Sequence, residues 1–316
     1  MDLIDKKILC ELDLNCRTPI SQIAKRLRIN RNVAAYRIKN LEEKGVIKNY
    51  ICQVSLGKLG YRSYKIHFKL RNLKDEEARF VDEVIACPSV ISFLKTEGSF
   101  DYSAVLAVKT IVELDAFISR VKSRFRNLVK DYMVSIIVYS RIFKLHKLLL
   151  NQPGVKMERF AGESVDASID NSDKKILKQI SQQGNLPIIE ISRKTRLSLD
   201  IVRHRLKKLQ DSVVTAFRPI INVDKLGYFH YVVMLQTRTA TRAQEQKLIT
   251  WCSVKRNVLY CTKRIGNFDF EVNVAITDID ELNSFLADIK TEFGDVIDSL
   301  DTVLNSRIVK LDYVPF

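Results

Sequence analysis

The chain has 316 residues, a formal net charge of +15 and 46% hydrophobic residues. This composition predicts a soluble globular protein with two or more domains, each burying a core. No apolar run reaches the ~18 residues of a membrane span, and the start, Met1–Asp5, lacks the pattern of a signal peptide. The six cysteines form no CxxC pair, so neither a disulfide framework nor a zinc site is predicted, and a reduced cytoplasm is the expected setting.

The chain opens with two predicted helices. Residues 3–14 carry apolar side chains at helical spacing, which indicates a first helix. Pro19 then fits the first turn of a second helix, because a helix has no interior hydrogen bond to lose at that position. That helix runs to about Leu27, and residues 28–30 form a tight turn.

A third helix follows the turn, with Asn30 as its N-cap. We expect it to bury Val33, Ile38 and Leu41 and to end near Gly45, since glycine suits the left-handed cap position. Residues 46–50 predict a short strand, interpreted as a wing. Three short helices with a tight turn before a basic third helix indicate a winged helix-turn-helix.

The rest of the first half of the chain has a periodicity that predicts strands and helices in the order β-α-β-β-α-β. Six elements are predicted, at residues 62–71, 75–86, 90–97, 101–108, 111–125 and 132–142. This is the ferredoxin-like order. The strand at residues 102–108 and its counterpart at 270–276 are apolar at most positions, which predicts that both faces of each sheet are covered and that one face meets the other domain.

The second half of the chain repeats the first. Residues 2–41 and 170–209 are identical at 13 of 40 positions. The match returns where residues 59–61 correspond to 226–228 and where residues 98–101 correspond to 266–269. The sequence therefore predicts an α+β fold of two repeats whose domains pack as a pseudo-dimer within one chain. The predicted units are a winged helix-turn-helix (1–57), a ferredoxin-like domain (58–142), a connector (143–167), a second winged helix-turn-helix (168–224) and a second ferredoxin-like domain (225–316).

Positive charge is concentrated at the start of each repeat. Residues 1–57 carry a net charge of +5 and residues 168–218 carry +6. A basic excess that coincides twice with a helix-turn-helix pattern favours double-stranded DNA as the partner, against the alternative of solvated helix faces.

The residues expected to bind DNA lie on the two third helices and at their caps. They are Asn30, Arg31, Asn32, Ala35, Tyr36, Arg37 and Lys39 in the first repeat and Ser198, Asp200, Arg203, His204, Arg205 and Lys207 in the second. Asn32 can read an adenine edge, whereas Asp200 can accept only from a cytosine amino group or else favours the helix N-terminus. The two helices therefore predict an asymmetric operator.

Several motifs of the first repeat resemble the Lrp/AsnC, or feast/famine, transcription regulators. They are Asp5–Leu9, the turn Arg28–Asn30, the run Arg37–Ile47, Leu59–Tyr61 and Gly98–Asp101. The resemblance implies a regulator, prokaryotic in its usual occurrence, that binds duplex DNA, often with an amino acid or another small effector between its C-terminal domains. Larger assemblies also occur in that family, and no cofactor is expected.

The resemblance places the effector neighbourhood at two matching hairpins, so Gly98, Asp101, Gly266 and Asp269 are the expected effector-binding residues. A structural reading of these residues is open as well, because Gly permits the tight turn and Asp bonds local backbone N–H groups.

Two other functions remain open at this point. One is an effector sensor that does not bind DNA. The other is an enzyme like the siroheme decarboxylases, which resemble Lrp/AsnC proteins and carry a histidine motif in the strand region. Residues 90–93 and 257–260 occupy that region here and hold no histidine. Because no phosphate loop, Ser/His/Asp set or metal spacing is present either, the sequence predicts a non-enzyme.

Overall fold

The computed structural model describes residues 1–152, 158–160 and 167–316 of the chain. The elements of the first repeat are α1 (Leu3–Leu14), α2 (Ile20–Leu27), α3 (Arg31–Glu43), β1 (Ile47–Val54), β2 (Arg62–Leu70), α4 (Lys74–Ala86), β3 (Val90–Gly98), β4 (Tyr102–Val108), α5 (Ile111–Arg124) and β5 (Val129–Ile142). The segment between the repeats contains α6 (His146–Leu150) and β6 (Glu158–Phe160).

The second repeat has the same order of elements. They are α7 (Asn171–Gln182), α8 (Ile188–Thr195), α9 (Leu199–Ser212), β7 (Val214–Ile221), β8 (Phe229–Thr237), α10 (Arg242–Val254), β9 (Val258–Ile265), β10 (Phe270–Ile276), α11 (Ile279–Phe293) and β11 (Ile297–Leu311). The predicted α+β class, with a helix-turn-helix and then a β-α-β-β-α-β unit in each repeat, is confirmed.

Local capping explains where the helices of the first repeat begin and end. The side chain of Asp2 caps α1 and forms a capping box with Asp5. Pro19 precedes α2, and Arg28 ends that helix in the left-handed conformation with φ of 55°. Asn30 caps α3 by accepting a hydrogen bond from the backbone N–H of Asn32. The second repeat uses the same devices at Asp170, Asp173, Pro187, Arg196 and Ser198.

One prediction about the core of α3 is wrong. Val33 is 41% exposed, and Ala34 takes the buried position instead. Because α3 begins at Arg31, its inward stripe consists of Ala34, Ile38 and Leu41, and Val33 falls one position outside it.

The two helix-turn-helix domains share a two-stranded ribbon formed by β1 and β7, which pair antiparallel. The strand interpreted as a wing is longer than predicted and pairs with the other repeat. Each domain is also bound to the strand of the opposite repeat, since the N–H of Cys16 donates to the carbonyl of Phe217 and the N–H of Gly184 donates to that of Tyr50. The ribbon therefore holds the two domains together through backbone hydrogen bonds.

The other long strands form a closed barrel. Its eight strands follow the order β2-β4-β3-β11-β8-β10-β9-β5, and β5 pairs back onto β2. The pairs β3–β11 and β5–β9 join the two repeats. Helices α4 and α5 cover the outer face of the first half, and α10 and α11 cover that of the second. Both sheet faces are thus enclosed, one under helices and one inside the barrel.

The predicted connector, 143–167, is described at both ends, whereas residues 153–157 and 161–166 lie outside the described residues. Helix α6 is buried between the first helix-turn-helix and the second half of the barrel. The ammonium group of Lys147 donates to the carbonyls of Cys252, Ser253 and Lys255 at the end of α10. Within the described residues, no helix combines the length and the apolar character needed to cross a membrane.

Candidate nucleic-acid interface and inter-repeat cavity

The outer face of α3 is exposed and basic. Arg31, Asn32 and Lys39 are exposed, and the side chain of Tyr36 is 70% exposed. Ala35 lies at the edge of this face and is partly buried. The face can therefore offer two cations, an amide and a phenol to a groove, whereas Asn30 is used as the cap of the helix.

Helix α9 has a different outer face. Asp200 stands at its first turn, is 92% exposed and forms an ion pair with Arg203 at 3.0 Å. His204 and Lys207 are exposed further along the helix. Ser198 caps it through a hydrogen bond from the N–H of Ile201 at 3.3 Å. An acid at the N-terminus stabilises the helix through its dipole, and the same charge repels phosphate.

Two of the predicted DNA-binding arginines are held within their own domains. The guanidinium of Arg37 donates to Asp2 at 2.6 Å and to Asp5 at 2.8 Å. Arg205 donates in the same way to Asp170 at 2.6 Å and Asp173 at 2.9 Å. These bonds raise the pKa of Arg37 and of Arg205 above its usual value. The repeated contact fixes α3 or α9 against the first helix of its domain, which is a structural role.

The predicted effector residues at the two hairpins are also engaged by the fold. A carboxylate oxygen of Asp101 accepts from the N–H of Leu70 at 2.7 Å, and one of Asp269 accepts from the N–H of Thr237 at 2.8 Å. Gly98 and Gly266 have φ of 121° and 151°. A Cβ on Gly266 would lie 2.8 Å from the Cβ of Ser135. The geometry favours the structural reading of these four residues.

The interior of the barrel contains a buried charged group that spans the two repeats. Arg264 donates to Glu271 at 2.8 Å, and its guanidinium also bonds Ser135 and lies 3.3 Å from the ring of His67. Lys65 approaches Glu271 at 3.6 Å. We call Lys65, His67, Ser135, Arg264 and Glu271 the interior cluster.

Opposing effects set the ionisation of the interior cluster. Burial raises the pKa of Glu271, but Lys65 and Arg264 outweigh it and lower the pKa to about 2. Burial, reinforced by the same two cations, lowers the pKa of His67 well below its usual value. Burial also lowers the pKa of Lys65 and of Arg264, and Glu271 opposes that effect in both. The cluster therefore places two basic groups and an imidazole of lowered pKa around one carboxylate.

A cavity of about 280 Å³ lies between the ribbon and the end of the barrel that faces it. Gln53 and Arg218 line it from the ribbon, and Lys65 and Glu271 line it from the barrel. His230 also lines it and bonds Asn273 at 3.0 Å. We call this space the inter-repeat cavity.

An ion pair between the ribbon and α1 borders the inter-repeat cavity. Arg218 binds Asp13 of α1 through two bonds, at 2.8 and 2.6 Å. Asp13 is buried and also accepts from the N–H of Leu145. Across the described parts of the chain, no group of three or more His, Cys, Asp or Glu is arranged to hold a metal ion.

Comparison with known proteins agrees with the helix-turn-helix geometry. A family model described as winged helix-turn-helix DNA-binding matches residues 1–48 and again residues 169–212. The HTH-type transcriptional regulator FL11 of Pyrococcus abyssi (strain GE5 / Orsay) is 30% identical over 122 residues, which cover 38% of this chain and 78% of FL11. The proline dehydrogenase transcriptional activator of Rhizobium radiobacter is 29% identical over 140 residues, covering 44% and 85% of the two chains.

Among solved structures, the siroheme decarboxylase NirDL matches 99% of this chain and 94% of its own, with a TM-score of 0.65 and 19% identity. At that identity the likeness shows a shared fold over the whole double module. With its two matched DNA-binding domains, this chain is a tandem winged helix-turn-helix protein. It belongs to the Lrp/AsnC family. Its sequence is similar to transcription regulators of that family over a length of about one repeat or less.

Proposed function

We propose that this protein is a sequence-specific DNA-binding transcription regulator that acts as an intrachain pseudo-dimer. One observation carries the proposal. Two exposed and chemically different recognition helices, α3 and α9, belong to domains that are joined by a single backbone-paired ribbon. An arrangement of this kind presents both helices to one duplex at a fixed separation.

The operator of such a protein is asymmetric, because its two recognition helices differ. Arg31 and Asn32 are the direct base readers of the first half-site. In the second half-site Asp200 is paired with Arg203, so Lys207 and His204 supply the contacts to the DNA backbone. The first half-site then carries more sequence information than the second.

Selection from random duplexes with the full chain tests this proposal. We expect enrichment of a site with unequal halves. Arg31→Ala or Asn32→Ala relaxes the preference in the informative half, at about 1–3 kcal/mol for each direct contact. Lys207→Ala weakens binding to every sequence and reduces the salt slope by about one unit.

The matched control is Lys290→Ala, which removes an exposed lysine from α11 on the outside of the barrel. We expect this variant to keep both the affinity and the salt slope. A perfect palindrome with equal information in both halves contradicts the asymmetric operator. Absence of salt-sensitive binding to any duplex contradicts DNA binding itself and favours the sensor function.

Catalysis on a tetrapyrrole is the second candidate, favoured by the fold shared with NirDL and by the presence of an internal cavity. The size of the cavity argues against it. At about 280 Å³ it is smaller than the roughly 300–1,000 Å³ of sites for drug-sized ligands. A tetrapyrrole is larger than a typical drug-sized ligand. Incubation of the protein with siroheme, followed by absorption spectroscopy and mass spectrometry, tests this candidate. Binding of siroheme together with a product lighter by carbon dioxide would establish decarboxylase activity.

A further inference from the structure

The inter-repeat cavity contains a polar side chain that the fold leaves without a partner. Gln53 is 1% exposed, and neither its amide nitrogen nor its amide oxygen bonds any described residue. Buried amides are almost always hydrogen-bonded, because an unbonded one loses its solvation without compensation. The amide of Gln53 can therefore donate to and accept from a molecule in the cavity.

The charge around the cavity is also unbalanced. Lys65 is 7% exposed, and its contact with Glu271 is 3.6 Å long, beyond the length of a good hydrogen bond. Glu271 is shared with Arg264, which binds it at 2.8 Å. Lys65 at the cavity wall and Arg264 behind it thus share one buried anion, and charges act strongly where water is excluded. The site attracts an anion and repels a second ammonium group.

The walls of the cavity differ in polarity between the repeats. On the first half of the barrel the lining includes Ser92, Leu94 and Val105. The matching positions on the second half are Tyr260, Thr262 and Asn273. Leu94 and Val105 therefore give the first half an apolar patch that Thr262 and Asn273 replace in the second, and Val105 is the strand partner of Lys65.

We propose that the inter-repeat cavity is a binding site for one small organic acid that has a single carboxylate, an apolar body and a hydroxyl group. The carboxylate binds Lys65, the apolar body packs against Leu94 and Val105, and the hydroxyl group donates to and accepts from the amide of Gln53. An α-amino acid is disfavoured, because its ammonium group enters a site that already has an excess of positive charge. The site is distinct from the two hairpins, whose carboxylates bond the backbone.

Occupancy of the cavity has a mechanical consequence for the chain. Gln53 lies on β1, so a molecule bonded to its amide contacts the ribbon that joins the helix-turn-helix domains. Binding then favours one arrangement of the ribbon and of the recognition helices attached to it. This regulatory consequence rests on the proposed DNA-binding function, whereas the binding site does not.

Calorimetric titration of the full chain with 2-hydroxy-4-methylpentanoate tests the site. Leucine and 4-methyl-2-pentanol serve as comparison ligands, since the first exchanges the hydroxyl group for an ammonium and the second replaces only the carboxylate, by a methyl group. We expect the hydroxy acid to bind about tenfold or more tightly than either. The alcohol loses one charge-assisted hydrogen bond, and leucine brings an ammonium group next to Lys65.

Variants identify the residues that bind the acid. Lys65→Met weakens the hydroxy acid about tenfold or more. Gln53→Leu replaces an unbonded amide by an apolar side chain, so the protein folds, and binding weakens several-fold. Lys69→Met is the matched control, because Lys69 lies on the same strand, contacts Asp101 and does not line the cavity.

Two results overturn the proposal. One is the absence of binding of the hydroxy acid at millimolar concentration, or weaker binding of it than of leucine. The other is unchanged affinity for the hydroxy acid in both Gln53→Leu and Lys65→Met. If Lys65→Met does not fold, unchanged affinity in Gln53→Leu is sufficient to refute the site. Affinity for DNA is measured on the same preparation to separate this outcome from failure of the proposed function. If the protein binds DNA but no acid, only the proposed acid-binding site is refuted. If it binds the acid but no DNA, only the proposed DNA-binding function is refuted.

Discussion

His230 should make the stability of this protein depend on pH in a window where few other groups titrate. Its ring lies on β8 at the inter-repeat cavity and bonds Asn273. Burial lowers the pKa of His230 from 6.5 to about 4. The folded protein therefore resists protonation that the unfolded chain accepts below pH 6.5. Stability is unaffected by this group above pH 6.5 and falls as the pH drops from 6.5 towards 4.

The size of the effect follows from that pKa difference. Between pH 7.5 and pH 5, a folded pKa near 4 against an unfolded value of 6.5 lowers the free energy of unfolding by up to about 2 kcal/mol. His67 adds a decrease of its own, because its pKa is lowered too. His230→Gln keeps an amide that can bond Asn273 and removes the titration, so this variant should lose about 2 kcal/mol of the pH dependence while the contribution of His67 remains.

Urea denaturation at pH 7.5 and pH 5 measures this difference. The wild type, His230→Gln and His204→Gln are compared, since His204 is exposed on α9 and serves as the matched histidine control. We expect His204→Gln to follow the wild type at both pH values. If His230→Gln loses as much stability as the wild type between pH 7.5 and pH 5, then burial of this ring does not suppress its protonation and the reasoning is refuted.

Two further predictions concern contacts between the repeats. Gly184→Ala should destabilise the chain by several kcal/mol in urea denaturation, because its Cβ would lie 2.4 Å from the carbonyl oxygen of Ile51; Gly227→Ala, where the space is open, should cost only about 1 kcal/mol. Arg218→Met should cost about 3 kcal/mol or more, because it leaves the buried carboxylate of Asp13 without its guanidinium. A cost for Arg218→Met below 1 kcal/mol, as for an exposed ion pair, would contradict the assigned role.

The elements themselves could be predicted because their signals are local. The periodicity of residues 3–14 indicated a helix that the structure places at Leu3–Leu14, and residues 101–108 indicated a strand found at Tyr102–Val108. Caps and left-handed turns depend on a few neighbouring residues, and duplication supplied each signal twice. The ends of elements were accordingly predicted to within a few residues.

Pairing between distant strands could not be predicted in the same way. The strand after α3 shows no local sign that its partner is β7, about 170 residues further along, so it was interpreted as a wing. The interior position of two polar side chains of β2 could not be predicted for a related reason. Lys65 and His67 alternate with the apolar Ile66 and Phe68, which normally indicates one solvent-facing side of a sheet. Closure of the barrel turns that side inward.

The predicted DNA-binding set shows the limit of periodicity at a site. Arg37 occupies an outward position of α3 by spacing alone, yet its side chain reaches back to Asp2 and Asp5. The pattern gives the direction of a Cβ, whereas a long side chain selects a partner in three dimensions. Both aspartates form the capping box of α1, and nothing in their spacing indicates a partner on α3.

Fusion of two repeats explains why the barrel interior can be charged on one side only. Lys65 and His67 of β2 correspond to Val232 and Met234 of β8, which are buried and apolar. In a symmetric homodimer each surface meets a copy of itself, so any buried charge appears twice around the axis. Here Arg264 and Glu271 contact Lys65 and His67 on one side of the barrel interior. The matching positions on the other side therefore need no charged residues. The same release from symmetry allows α3 and α9 to differ. The unequal interior and the unequal faces of α3 and α9 are therefore two consequences of one duplication.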